Sequence, residues 1–68
     1  MNDKKTDFLI YCIEIYKNAK GKSGRQTLSI LDASGATDFI LDCYEALHVE
    51  GKDAIVWQID DFISHRAA

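Results

Sequence analysis

Asp60 and Asp61 stand side by side, and paired carboxylates are a familiar source of acid–base or metal chemistry. Neighbouring positions on a helix point about 100° apart, so these two do not converge, and a capping or solvated role is expected. His48 and His65 are the only histidines. His48 falls on a polar face or in the turn after a helix, where it suits a helix-end cation or a turn hydrogen-bonder better than a base. Together with Cys12 and Cys43 these histidines lack the close ligand pair of a zinc site. The cysteines read instead as buried thiols behaving as small hydrophobes in a reducing compartment. Gly21-Lys22-Ser23-Gly24 has a lysine and a serine but neither the spacing nor the preceding strand of a phosphate loop. No serine has a local base. The expectation is a chain with no catalytic, cofactor-binding or metal-binding residue, because a domain this small would lose most of its core to a catalytic pocket.

These residues must be positioned by a short chain. Its 68 residues, 47% apolar and 28% charged, make one domain, residues 1–68, with a thin core and too much hydrophobicity for disorder. Lys4 and Lys5 precede an apolar run from Phe8 to Ile13, but Asp7 abuts it and Glu14 ends it. No small-residue cleavage site follows, and the run is far too short to span a bilayer. No signal peptide and no membrane association are expected, and the protein reads as cytoplasmic.

The periodicity predicts an all-α, compact four-helix domain, with helices at about 4–19, 24–34, 37–49 and 53–66. The first helix has Asp3 as N-cap and places Phe8, Cys12, Ile15, Tyr16 and Ala19 on one face, flanked by Leu9, Tyr11 and Ile13. So wide an apolar arc suits a central helix. The second opens on Ser23-Gly24-Arg25-Gln26, a capping box, carries Leu28, Ile30 and Leu31, and ends at Gly35. The third takes Thr37 as N-cap, has a face of Phe39, Ile40, Cys43, Tyr44, Ala46 and Leu47, and ends at Gly51. The fourth has a stripe of Ile55, Ile59, Phe62 and Ile63. Ala54-Ile55-Val56-Trp57 is also β-compatible, which leaves a short extended piece at 54–57 as an alternative. The final Ser64-His65-Arg66-Ala67-Ala68 is expected to fray.

Charge divides along the chain. Residues 1–34 carry six basic and four acidic groups, a net of +2; residues 35–68 carry two basic and seven acidic groups, a net of −5. An acidic half can complement a basic partner and speed encounter, or simply keep the protein soluble. The second and third helices, joined at Gly35, invite a helix-turn-helix reading. Its reader helix would present Asp38, Asp42 and Glu45 with no lysine or arginine, so phosphates would repel it. Nucleic acid is disfavoured as a partner.

Three apolar residues do not fit the core faces. Ile10 lies opposite the Phe8–Cys12 face, Leu41 lies among Asp42, Glu45 and His48, and Trp57 lies opposite the Ile55–Ile59–Phe62 stripe if that segment is helical. Tryptophan is costly to expose and is a common interface anchor. Ile10, Leu41 and Trp57, with Asp42 and Glu45, are the candidate partner-binding residues. The plain alternative for Trp57 is a different local face assignment.

The order Asp7-Phe8, Ile10-Tyr11-Cys12-Ile13-Glu14, Tyr16-Lys17, Ser23-Gly24, Thr37-Asp38-Phe39-Ile40, Cys43-Tyr44-Glu45-Ala46-Leu47-His48, then Ile55-Val56 and Ile59-Asp60 before Phe62-Ile63, resembles a family of short bacterial proteins of unknown function. The resemblance covers nearly the whole chain. It is most specific at Tyr44-Glu45-Ala46-Leu47-His48 and at the Ile59-Asp60-Asp61-Phe62-Ile63 ending. It departs at Ala54, where an aromatic is common, and at Gln58, where an acid is common; Trp57 is a candidate for the missing aromatic. The resemblance implies a neighbouring gene for a protein similar to ADP-ribosyltransferases, hence a toxin–antitoxin-like pair with the small protein as the neutralising partner. It carries no active site with it.

The expected function is therefore non-enzymatic protein binding, as an antitoxin-like module for the product of an adjacent gene. The alternatives are a helix-turn-helix DNA-binding regulator and a self-associating structural domain forming a homo-oligomer.

Overall fold

Asp3 opens the first helix as predicted: its carboxylate accepts the Lys5 N–H at 3.0 Å and the Thr6 hydroxyl at 3.1 Å. The computed structural model describes residues 3–66 and holds five helical segments: α1 (Lys4–Lys20), α2 (Gly24–Ser34), α3 (Ala36–Asp42), α4 (Tyr44–Leu47) and α5 (Lys52–Arg66). No strand occurs among the described residues. α1 stops at Gly21, whose φ of 64° lets the Lys22 N–H turn back onto the Lys17 carbonyl at 3.0 Å. The capping box opening α2 is formed: the Gln26 N–H donates to Ser23 Oγ at 3.1 Å, and the Ser23 N–H donates to Gln26 Oε1 at 3.0 Å.

α1 is the central helix, packed against α2, α3 and α5. It contributes Cys12, Ile15 and Tyr16 to a core completed by Leu31, Ala36, Ile40, Leu47, Ile55 and Ile59. The radius of gyration, 11.1 Å, equals the ~11 Å of a compact chain of this length. On α2 the buried stripe is Thr27 and Leu31, and Leu28 is exposed. Thr27 enters the core without an orphaned hydroxyl because it donates to the Ser23 carbonyl at 3.0 Å.

The structure corrects the predicted third helix, 37–49. It begins a residue earlier, at Ala36, directly after Gly35 at φ 83°. The cause is packing: Ala36 is fully buried, so the helical turn starts where that methyl group meets the core. Thr37 is thus not an N-cap; its hydroxyl donates to Asp32 Oδ1 at 2.8 Å and clasps the α2–α3 corner. The helix then breaks at Cys43, with φ −100° and ψ 19°. No glycine or proline marks this break. It swings α4 so that Tyr44 meets Phe8 edge-on, centroids 5.4 Å apart, and Leu47 is buried. α4 ends at Leu47, and Gly51 does not terminate it; the Gly51 carbonyl accepts the Ile55 N–H at 3.0 Å and so begins α5.

Residues 54–57 are helical, within α5, and the extended alternative is discarded. Ile55 and Ile59 are buried and Phe62 and Ile63 pack beside them, so a continuous helix buries one face where a strand would split it. The helix also runs through Ser64, His65 and Arg66. Arg66 is held there by its guanidinium lying 5.4 Å over the Phe62 ring. Ala67 and Ala68 lie outside the described residues. Ala19 and Ala46, placed on core faces by periodicity, and Tyr11, placed on a flank, are exposed.

Candidate functional site

α5 carries polar chemistry on both sides of its buried stripe. On one side Asp60 is not the solvated carboxylate expected from its position. The Tyr16 hydroxyl donates to Asp60 Oδ1 at 2.6 Å, and Lys20 Nζ lies 2.6 Å from Oδ2, joining the end of α1 to the middle of α5. Partial burial pushes the Asp60 carboxyl upward, but the hydrogen bonds from Lys20 and Tyr16 and the lysine charge outweigh it and hold the group below the usual carboxylate range. Burial, then the bond to Asp60 and its charge, push the Tyr16 phenol well above its ordinary value. This clasp joins residues 44 apart in sequence, and its only sequence signal is that Asp60 sits at the edge of the Ile59–Ile63 stripe. Asp61 points elsewhere, so the two carboxylates do not converge.

On the other side, Ala54, Gln58, Asp61 and His65 follow one another at helical spacing along α5. With Trp57 and Phe62, and with Phe39 and Glu50 from the facing segments, they line a solvent-open groove of about 760 Å³. Phe39 and Phe62 stack at 4.5 Å with rings 13° from parallel and form an aromatic wall of the groove. The small Ala54 leaves room in the groove. His65 Nδ1–H donates to the Asp61 carbonyl at 2.8 Å. His48 makes the same bond to the Tyr44 carbonyl at 2.8 Å and stacks on the Tyr44 ring, the turn hydrogen-bonding predicted for it. Both imidazoles carry their proton on Nδ1 because a carbonyl only accepts.

Of the five candidate partner-binding residues, Trp57 and Ile10 are exposed, at 66% and 59%. Leu41 is half-buried, and Asp42 and Glu45 are exposed. The structure brings only Trp57 to the groove; Ile10, Leu41, Asp42 and Glu45 are not among its lining residues. The groove residues missed in the sequence, Phe39, Glu50, Asp61, Phe62 and His65, have a faint signal in the Ala54–Gln58–Asp61–His65 spacing. A smaller cleft of about 340 Å³ lies between Ile15, Asn18 and Ala19 of α1 and Lys52, Asp53 and Val56 of α5.

Cys12 is buried, and burial lifts its thiol to about 12. Cys43 is partly exposed and also free. Among the described residues no three of His, Cys, Asp and Glu stand close enough to hold a metal ion, and no helix is long and apolar enough to cross a membrane.

Fold and site together define a small all-helical domain with an open, aromatic-walled groove along its last helix. The chain belongs to the family described as protein of unknown function (DUF3791), whose model matches residues 7–66. No curated protein and no solved structure matches it.

Proposed function

We propose that this protein is a non-enzymatic, protein-binding module of the bacterial cytoplasm, an antitoxin-like partner that covers the basic nucleotide-binding cleft of an ADP-ribosyltransferase-like protein encoded beside it. The observation that carries the reading is Trp57: a tryptophan two-thirds exposed (66%) on an ordered helix, bordering a groove with aromatic walls. Leaving an indole in water forgoes on the order of 2 kcal/mol of burial, and tryptophan is the side chain most enriched at binding hot spots. The net charge of −5 over residues 35–68 suits a basic partner surface. The gene neighbourhood implied by the resemblance to short bacterial proteins supplies the identity of that partner.

A DNA-reading role is weaker on physical grounds. α3 has only seven residues, follows α2 after the single residue Gly35, and exposes Asp38 and Asp42. The test is co-expression of the chain with the product of the adjacent open reading frame. Co-purification and restored growth support the proposal; an unbound and fully toxic partner ends it. Light scattering of the chain alone at several concentrations tests the self-associating alternative, which a strict monomer excludes.

A further inference from the structure

Two features of the groove restrict what fits in it. The Trp57 indole has no stacking or cation contact among the described residues, so its faces are open. Beside it, Glu50 and Asp61 have no lysine or arginine partner among the described residues. The basic side chain beside Asp61 is His65, whose Nδ1 is 3.6 Å from Oδ1, beyond hydrogen-bond length, because that N–H is already given to the Asp61 carbonyl at 2.8 Å. The contrast with Asp60, which holds both Tyr16 and Lys20, is direct.

An apolar side chain in this groove would desolvate two carboxylates with nothing in return. An acidic one would be repelled. A lysine would supply charge as a strongly hydrated point. A guanidinium is planar and weakly hydrated, stacks on indole, and donates in parallel pairs to a carboxylate. The chain's own Arg66 already lies 5.4 Å over Phe62, the neighbouring groove aromatic.

We infer that the groove captures an arginine side chain of the partner protein, stacked on Trp57 and hydrogen-bonded to Asp61 or Glu50. The inference rests on the protein-binding proposal and names the chemistry of its central contact. About 760 Å³ exceeds the needs of one guanidinium, so residues flanking the arginine share the groove.

Trp57 is the only tryptophan in the chain, so its fluorescence reports this groove alone. The experiment titrates the full chain with a short acetylated and amidated alanine-based peptide carrying two arginines, and with its lysine and citrulline counterparts. The expected result is a saturable change in Trp57 emission that weakens with added salt. Citrulline should bind at least about tenfold more weakly, the worth of one charge-assisted pair, and lysine should fall between. Glu50→Gln with Asp61→Asn should bring arginine binding down to the citrulline level while circular dichroism stays unchanged. Equal binding of arginine and citrulline peptides, or full binding by the doubly substituted chain, overturns the inference. So does a concentration-dependent emission shift without peptide, which would place a second copy in the groove. The two proposals fail separately. A doubly substituted chain that still co-purifies with the adjacent-gene product removes the arginine chemistry and leaves the protein-binding reading standing. A wild-type chain that binds the peptide but not that product removes the partner assignment.

Discussion

Replacing Tyr16 by phenylalanine isolates the clasp between α1 and α5. The ring is buried at 3% exposure, so Tyr16→Phe opens no cavity and removes only the hydroxyl that donates to Asp60 at 2.6 Å. A hydrogen bond to a charged acceptor contributes about 1.5–3 kcal/mol when well shielded. The Asp60 side chain is 35% exposed and keeps Lys20, so water replaces part of the loss and about 1 kcal/mol is expected at neutral pH. For a domain of this size that is a fall in Tm of about 4–8 °C. The pH dependence adds a second requirement. The folded protein holds the Asp60 pKa below its unfolded value of about 3.9, so this stabilisation is complete above that pH and lost as pH falls through the folded pKa. Urea denaturation followed by circular dichroism at pH 7 and near pH 3 measures both. A Tyr16→Phe chain as stable as the parent at pH 7, or a deficit that does not shrink in acid, would refute the clasp as described.

Ile59→Ala, at a fully buried position of α5, should cost about 2–4 kcal/mol in chemical denaturation, a large share of the stability of so small a domain. Gly35→Ala should cost about 1–2 kcal/mol by the same measurement, because φ 83° strains any side-chain-bearing residue; the added Cβ itself meets only Arg66 Nη2 at 3.5 Å. Alkaline titration should show stability falling from about pH 9 upward, since Cys12 is raised to about 12 and Tyr16 is raised as well. Groups whose folded pKa is raised stabilise below the unfolded pKa and lose that contribution as pH rises. Cys12→Ala should flatten the first part of that slope, and thermal melts from pH 8 to 11 measure it.

Local chemistry was legible wherever it determines structure by itself. The Asp3 cap, the Ser23–Gln26 capping box and the Gly35 corner are all formed between residues a few positions apart. The apolar stripes of α1 and α5 followed from periodicity, and Trp57 was placed outward by the same argument that put Ile55 and Ile59 inward. What was missed depends on distant partners. The break at Cys43 exists because Tyr44 meets Phe8 and Leu47 enters the core; nothing in the local stretch interrupts a helix. Thr27 is the exception, a buried polar residue whose hydroxyl is satisfied locally by the Ser23 carbonyl of its own first turn. Asp60 reads as solvated because its partners lie on α1. The groove escaped for the same reason: Phe39 stacks on Phe62 only after α5 folds back beside α3.

We propose that Trp57 serves a partner and not the fold. Co-expression of wild-type and Trp57→Ala chains with the product of the adjacent open reading frame, with melting of each free chain in parallel, tests it most directly. The expected result is an unchanged fold, with stability within about 0.5 kcal/mol of the parent, and loss of the co-purifying partner. A Trp57→Ala chain that unfolds, or one that retains the partner in full, would contradict it.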